Sequence, residues 1–285
     1  MKGVYFPVAG IELNPLIPVA VGFTLSMLFG QVGLTGSVAL LPFMISVLGF
    51  TSPAVSSTSL IYNITTPLGG IYSYQRERRM PWRIGLLAAS GGVIGALIGP
   101  RIRITLLADI GPFKFFFGAL LALIALRLFL KAPLHSAPGV VEASKGSLTR
   151  ASFSFSNTTY TYPPPLVAAA GFTAGIISTT FGIGTGFFLV PFYTALLGLP
   201  IYAVAGPALF STLVISTAGT VVYATLNSGG LASPDPLLGL LFGTGGVIGG
   251  FLSARIQMRI RPHLLQKALG IFLLLWALAY LIQGL

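Results

Sequence analysis

Two stretches of the sequence place glycines beside hydroxyl side chains within otherwise apolar surroundings. One is Gly30-Gln31-Val32-Gly33-Leu34-Thr35-Gly36-Ser37, the other Thr179-Thr180-Phe181-Gly182-Ile183-Gly184-Thr185-Gly186. Glycine lets backbone approach a ligand closely, and a helix that starts just after such a break aims unpaired N–H groups at it. Thr35, Ser37, Thr180 and Thr185 add hydroxyl donors. Together with Gln31, Gly33, Gly36, Gly182, Gly184 and Gly186 they form a candidate substrate-binding site that is uncharged yet attracts anions. The competing reading is that these glycines only allow helices to cross closely. That reading is the better one for a single stretch; the recurrence of the same break favours a site.

Other polar groups extend the candidate site. Ser56, Ser59 and Asn63 fall at spacings of three and four, one face of a helix. Ser211 and Thr212 stand at the positions equivalent to Tyr62 and Asn63 in the repeat described below. An asparagine in mid-membrane is costly without a partner, so Asn63 is either a ligand or half of an interhelical hydrogen bond, and both stay open. The remaining chemistry is narrowed by elimination. Glu12, Glu77, Asp109, Glu142 and Asp235 all lie in or beside connections, and His135 and His263 sit next to proline in polar connections. A buried carboxylate relay or an acidic cation site has no obvious residues. The chain has no cysteine, which removes disulfides, thiolate metal sites and a thiol nucleophile. No phosphate-binding loop pattern and no nucleophile with a base partner occur. The sequence thus predicts neither an enzyme nor a cofactor.

The elements that must hold these residues follow from composition. Of 285 residues 54% are apolar and 7% charged, against about 25% charged in a soluble domain. So few charges cannot cover a protein of this size in water, which excludes a soluble enzyme, a disordered chain and a nucleic-acid-binding domain. The net charge of +11 fits loops facing anionic lipid. Apolar runs predict an all-α, polytopic membrane protein of ten segments: 14–30, 36–50, 54–75, 82–100, 112–130, 165–180, 184–198, 201–226, 236–254 and 263–283. The first two of each five are short, nearer 15 residues, and predict half-spans, a re-entrant hairpin or steeply broken helices.

The fives are copies of one another. At an offset of 149 residues, 22–60 meets 171–209 with twelve identities in 39 positions, among them Gly33 with Gly182, Pro42 with Pro191 and Leu48-Gly49 with Leu197-Gly198. At an offset of 154, Gly91-Gly92-Val93-Ile94-Gly95 recurs as Gly245-Gly246-Val247-Ile248-Gly249, and Arg101-Ile102 as Arg255-Ile256. This predicts a first transmembrane repeat over 1–130, a cytoplasmic linker over 131–164 and a second repeat over 165–285. Charge placement orients them. If Arg76, Arg78, Arg79 and Arg83 lie inside and each segment crosses, or each short pair makes one hairpin, twelve of the sixteen Lys and Arg residues are inside. Lys2, Arg101, Arg103 and Lys114 are then outside, in the terminal segment and a loop over 101–114. The halves are expected to be inverted, with both termini outside.

Three local features carry further expectations. Phe153, Phe155, Tyr160 and Tyr162 alternate with Ser and Thr around Ser156-Asn157, which reads as a surface hairpin or, equally, as a flexible linker. Residues 14–30 match a mid-chain segment and lack a small-x-small cleavage site, so they are expected to stay in the mature protein. Gly91, Gly95 and Gly99, with Gly245, Gly249 and Ser253, form small-residue stripes that predict packing, with segment four set against segment nine. Arg101 and Arg255 end those segments, as interfacial anchors or, in a sharper reading, as anion-attracting gates.

The ordered pattern resembles the sulfite exporter TauE/SafE family of membrane permeases. The resemblance rests on a glycine-rich break followed by a proline-containing apolar run in each half, Gly33 to Pro42 and Gly182 to Pro191. It rests also on Leu48-Gly49 and Leu197-Gly198-Leu199-Pro200 leading to Ala54-Val55 and Ala203-Val204, and on the Gly-Ala-Leu-Ile-Gly-Pro-Arg run at 95–101. It covers nearly the whole chain outside 131–164. It implies export of sulfite or a small organosulfonate across the cell membrane. The expected partners are a small anionic substrate and the lipid bilayer, with no nucleic acid; a homodimer is compatible with this reading. The alternative is a passive channel for a small anion or neutral solute that uses the same breaks as a pore.

Overall fold

A computed structural model of the chain describes residues 3–30, 34–130, 139–147, 149–226, 232–256 and 262–284. In the first half, strands β1 (Val4–Phe6) and β2 (Ile11–Leu13) precede helices α1 (Leu16–Gly30), α2 (Ser37–Pro42), α3 (Ala54–Thr65), α4 (Pro67–Arg76), α5 (Trp82–Ala96), α6 (Gly99–Thr105) and α7 (Ile110–Leu130). Strands β3 (Val141–Gly146), β4 (Ala151–Phe155) and β5 (Thr158–Tyr162) follow. The second half contains α8 (Pro164–Phe181), α9 (Gly186–Pro191), α10 (Ile201–Thr225), α11 (Pro236–Ile256) and α12 (Pro262–Gln283). Five helical stretches among the described residues are long and apolar enough to cross a membrane: Trp82–Thr105, Ile110–Phe129, Pro164–Phe181, Ile201–Thr225 and Pro236–Ser253. The chain is a multi-pass helical membrane protein. α8, at 18 residues, is longer than the half-span expected of it, whereas α1, α2 and α9 are short.

The same residues produce the same local devices in both halves. Pro42 and Pro191 end α2 and α9, and each is followed by a π-helical turn, Phe43–Val47 and Phe192–Leu196. Proline lacks the N–H that would continue the α-helical ladder, and a widened turn is one way to absorb the mismatch. Gly49 and Gly198 then take φ of +71° and +65°, the left-handed conformation that glycine adopts at no steric cost.

The packing corrects one expectation. Segment four does not lie on segment nine. Instead α5 packs on α8 and α11 packs on α1. The glycines are the reason: a Cβ at Gly91 would run into the carbonyl of Ala168, and one at Gly95 into that of Phe172. Likewise a Cβ at Gly245 would meet the carbonyl of Val19, and one at Gly249 that of Phe23. Backbone meets backbone, so each stripe fits only a neighbour that leaves room at the same spacing. Both pairs run parallel, because contacts advance in the same sense along the two helices. Helices that correspond between the halves run antiparallel where they touch. Lys114 of α7 donates to Gln283 of α12 at 2.8 Å, Gly118 faces Ala277 to Leu281, and Gly270 faces Leu128 and Phe129. On α3 and α4, Leu60 faces Gly219 and Gly70 faces Leu209 of α10.

β3, β4 and β5 form one antiparallel sheet. The alternation around Ser156-Asn157 is therefore a hairpin, its two turn residues at φ of 50° and 62°, as a tight two-residue connection demands. Ala151, Phe153, Phe155 and Tyr162 are buried in one cluster with Leu189, Tyr193 and Leu199, so the sheet caps the end of the bundle where α9 gives way to α10. Arg83 clasps it, donating to the carbonyls of Gly146 at 2.7 Å and Ser147 at 2.8 Å. The carbonyl of Arg78 accepts from Val141 N at 2.8 Å. The β1–β2 hairpin, not foreseen in the sequence, buries Phe6 in a cluster with Phe50, Leu107 and Phe113. Each end of the bundle thus carries a small β cap. Arg83→Ala removes two charge-assisted bonds, together on the order of 1–2 kcal/mol at an exposed site. Hydrogen exchange over 141–162 is expected to quicken roughly tenfold or more with the helices unchanged; unaltered exchange there would show that the clasp contributes nothing.

Candidate functional site

The first glycine break lies between α1 and α2 and the second between α8 and α9. In the first, α1 ends at Gly30; Gln31, Val32 and Gly33 lie outside the described residues. The described chain resumes at Leu34, whose N–H bonds Phe29 O at 3.1 Å, and Thr35 and Gly36 lead into α2. In the second, α8 stops at Gly182, which is left-handed at φ +76° and bonds Ser178 O at 2.7 Å. A Cβ on Gly182 would strike the carbonyl of Ser56, so conformation and space both demand glycine here. Ser178 Oγ holds the turn by donating to Ile183 O.

The two turns meet. Gly184 N donates to Ser37 Oγ at 2.9 Å, and Ser37 Oγ lies 2.8 Å from Thr35 Oγ1. A Cβ at Gly184 would overlap Thr35. Beside this contact, Thr185 N donates to Thr212 Oγ1 at 3.1 Å, and the Thr185 and Thr212 hydroxyls are 2.8 Å apart. Asn63 Nδ2, reaching from α3, donates to Gly182 O at 3.1 Å. Thr35, Ser37, Asn63, Thr185 and Thr212 are all buried. So Thr35, Ser37, Asn63, Gly182, Gly184, Thr185 and Thr212 share one small polar junction, with Gly36 set against the Tyr62 hydroxyl and Gly186 opening α9. Thr180 and Ser211 stand apart. Thr180 donates to Gly99 O at 3.2 Å and Ile176 O at 2.7 Å, and Ser211 to Gly85 O at 3.1 Å and Pro207 O at 2.9 Å. The N–H groups of Gly184 and Thr185 are engaged by hydroxyls in this conformation, and an oxyanion takes them only by displacing those hydroxyls.

A cavity of about 20 Å³ opens beside the junction, lined by Ser26, Gly30, Leu34, Thr35, Thr66, Gly70, Tyr74, Leu209 and Gly250. It has room for about one water molecule. It reaches from Thr35 along α4 to Tyr74, whose ring carries the Arg79 guanidinium at 4.7 Å. Arg79 is buried and paired with Glu77.

From the sequence the site is expected to hold no fixed charge, with Arg103 in an outside loop. The structure places Arg103 differently: α6 carries the helix on past Pro100, and the Arg103 side chain is 0% exposed. A signal for this is present in the sequence, since Arg103 follows Gly91, Gly95 and Gly99 at the same spacing of four, and the side chain is carried inward against Ser56 of α3 and Phe113 of α7. Asp235 is buried too, its Oδ1 accepting from Leu238 N at 3.0 Å as the cap of α11. Arg101 and Arg255 are exposed, Arg255 lying 4.2 Å over the Phe251 ring, which suits interfacial anchors.

Comparison with known proteins agrees with this architecture. The chain is 26% identical over 277 residues to the probable membrane transporter protein YunE of Bacillus subtilis (strain 168), covering 94% of this chain and 98% of that protein. A probable membrane transporter protein of Xylella fastidiosa (strain 9a5c) is 26% identical over 257 residues, covering 89% and 88%. The probable membrane transporter protein YdhB of Bacillus subtilis is 25% identical over 214 residues, covering 74% and 79%. No solved structure gives a significant match. The model of the family described as sulfite exporter TauE/SafE matches residues 18–280. Two touching glycine breaks in a multi-pass helical bundle, and a family match over nearly the whole chain, lead to one conclusion: this protein belongs to the TauE/SafE family of membrane transporters.

Proposed function

We propose that the protein exports a small sulfur-containing anion, sulfite or an organosulfonate, across the cell membrane through the junction of the two breaks. The observation that carries this reading is the contact of Ser37 Oγ with Gly184 N, flanked by Thr35, Thr185, Thr212 and Asn63. Backbone N–H groups, hydroxyls and a carboxamide complement an oxyanion. The repeats, 1–130 and 165–285 about a cytoplasmic 131–164 linker, are taken to be inverted. Antiparallel contact of α7 with α12, and of α3 and α4 with α10, supports this, since corresponding helices of inverted copies run in opposite senses. On this reading one hairpin dips from each face of the membrane and their turns meet between the faces, the arrangement of a carrier whose halves rock around a fixed site. An inside-negative potential then drives the anion outward.

Closed turns favour saturable flux over an open pore. The test is a panel of oxyanions, first in a detergent melting assay and then as flux from proteoliposomes. A ligand at 100 times its Kd stabilises by about 2.7 kcal/mol, so sulfite or a simple sulfonate is expected to raise the melting temperature by several degrees and to move with saturation. A panel that shifts nothing and moves through no vesicle would overturn the anion reading; flux that never saturates would favour the channel.

A further inference from the structure

We propose that Arg103 receives the transported anion at the end of the bundle where α3 begins, and that Ser56, Ser59 and Asn63 connect it to the junction. This rests on the anion reading above and adds to it a fixed positive charge. Among the described residues Arg103 heads the fully buried side chains by volume. Its Nε donates to Ser56 Oγ at 3.2 Å, and its Nη1 to the carbonyls of Leu107 and, at 3.4 Å, Ala108. The guanidinium carbon lies 4.1 Å over the Phe113 ring. Its Nη2 has no hydrogen-bond partner. The one ion pair among the described residues joins Arg79 to Glu77, so Arg103 is in direct contact with none of their carboxylates.

A guanidinium kept out of water without a counter-ion is expensive unless something anionic visits it. Nε and Nη2 share the edge that takes an oxyanion in two parallel hydrogen bonds. In this structure Ser56 holds one half of that edge and the other half is open. Ser56 is also the residue against which Gly182 turns, so Arg103 stands one side chain away from the junction. Along the same face of α3, Ser59 Oγ is buried without a partner, and Asn63 Nδ2 donates to Gly182 O at the junction. A fold gains nothing from a buried hydroxyl that bonds nothing, and its removal leaves stability the same or higher. A passing anion that brings its own oxygens gives such a hydroxyl a partner.

The experiment uses the full chain in proteoliposomes, with sulfite and methanesulfonate as probes and melting temperature as control. Ser59→Ala is expected to melt at or above the wild-type temperature while its half-saturation concentration rises about fivefold. Arg103→Lys keeps the charge but loses the two-pronged edge, and is expected to raise half-saturation about tenfold; Arg103→Gln is expected to lose flux altogether. Because Arg103 also ties the Leu107 and Ala108 carbonyls, Ser59→Ala decides the outcome if the arginine variants do not fold. Wild-type flux with unchanged half-saturation in Ser59→Ala and in whichever arginine variants fold overturns the assignment alone. A wild type that moves no oxyanion overturns the anion reading, and the assignment with it.

Discussion

Gly184→Leu is expected to abolish transport while the protein still reaches the membrane and remains folded. Even a Cβ at this position would overlap Thr35, and leucine adds three more carbons where Ser37, Thr35 and the second break close on each other. Forcing extra carbons into a packed site costs about 1–3 kcal/mol. If every cycle passes through the closed junction, that cost lowers its population by roughly five- to a hundredfold or more. Insertion is decided elsewhere, by the long apolar helices, none of which contains residue 184. Gly184→Ala isolates the effect, since it adds the one atom whose clash is known; flux is expected to fall about tenfold. Thr35→Gly in that background removes the obstructing side chain and is expected to restore part of it. Flux at matched protein levels is the measurement. A wild-type rate in Gly184→Leu would show that the two turns do not need to meet.

What the sequence disclosed and what it hid follow from the range of the interactions involved. The proline–phenylalanine pairs and the Leu-Gly steps act on their own neighbourhoods, and the structure turns each copy the same way: two π turns, and glycines 49 and 198 both left-handed. Of the two readings of Asn63 the structure displays the hydrogen bond between elements, Nδ2 donating to Gly182 O across the halves. Partnership between distant helices is less legible. Both glycine stripes announce a close neighbour, yet nothing in a stripe says which helix has matching room. Arg103 is hidden by a local rule applied too strongly. Gly99-Pro100 reads as a helix stop, but proline in a first helical turn gives up only an N–H that has no partner there anyway, and a new turn begins. The arginine three residues after the proline is thereby carried inward. The β1–β2 hairpin escapes because three-residue strands offer too few alternations to read.

Gly91→Val and Gly245→Val are expected to fail in a different way, by losing the folded bundle. A Cβ at Gly91 would press on the carbonyl of Ala168 and the nitrogen of Phe172; one at Gly245 would press on the carbonyl of Val19 and the nitrogen of Phe23. At Gly184 the obstacle is a threonine side chain that can be trimmed by a second substitution. At the stripes it is main chain, which yields only if α5 moves off α8, or α11 off α1. Membrane helices associate through close packing rather than through expulsion of water, so a gap forced between two spans forfeits most of what joins them. Each variant should therefore give less monodisperse protein in detergent and a melting temperature lower by roughly five to ten degrees, since the strain is on the order of 3 kcal/mol, the upper range for overpacking. Gly111→Ala serves as the control, since nothing lies within reach of a Cβ there, and it should melt like the wild type. The comparison separates two kinds of glycine that look alike in the sequence, those that bring helices together and those that bring the turns together. If Gly91→Val and Gly245→Val melted normally and lost only transport, the stripes would belong to the moving parts, and the parallel pairs α5 with α8 and α1 with α11 would have to separate during the cycle.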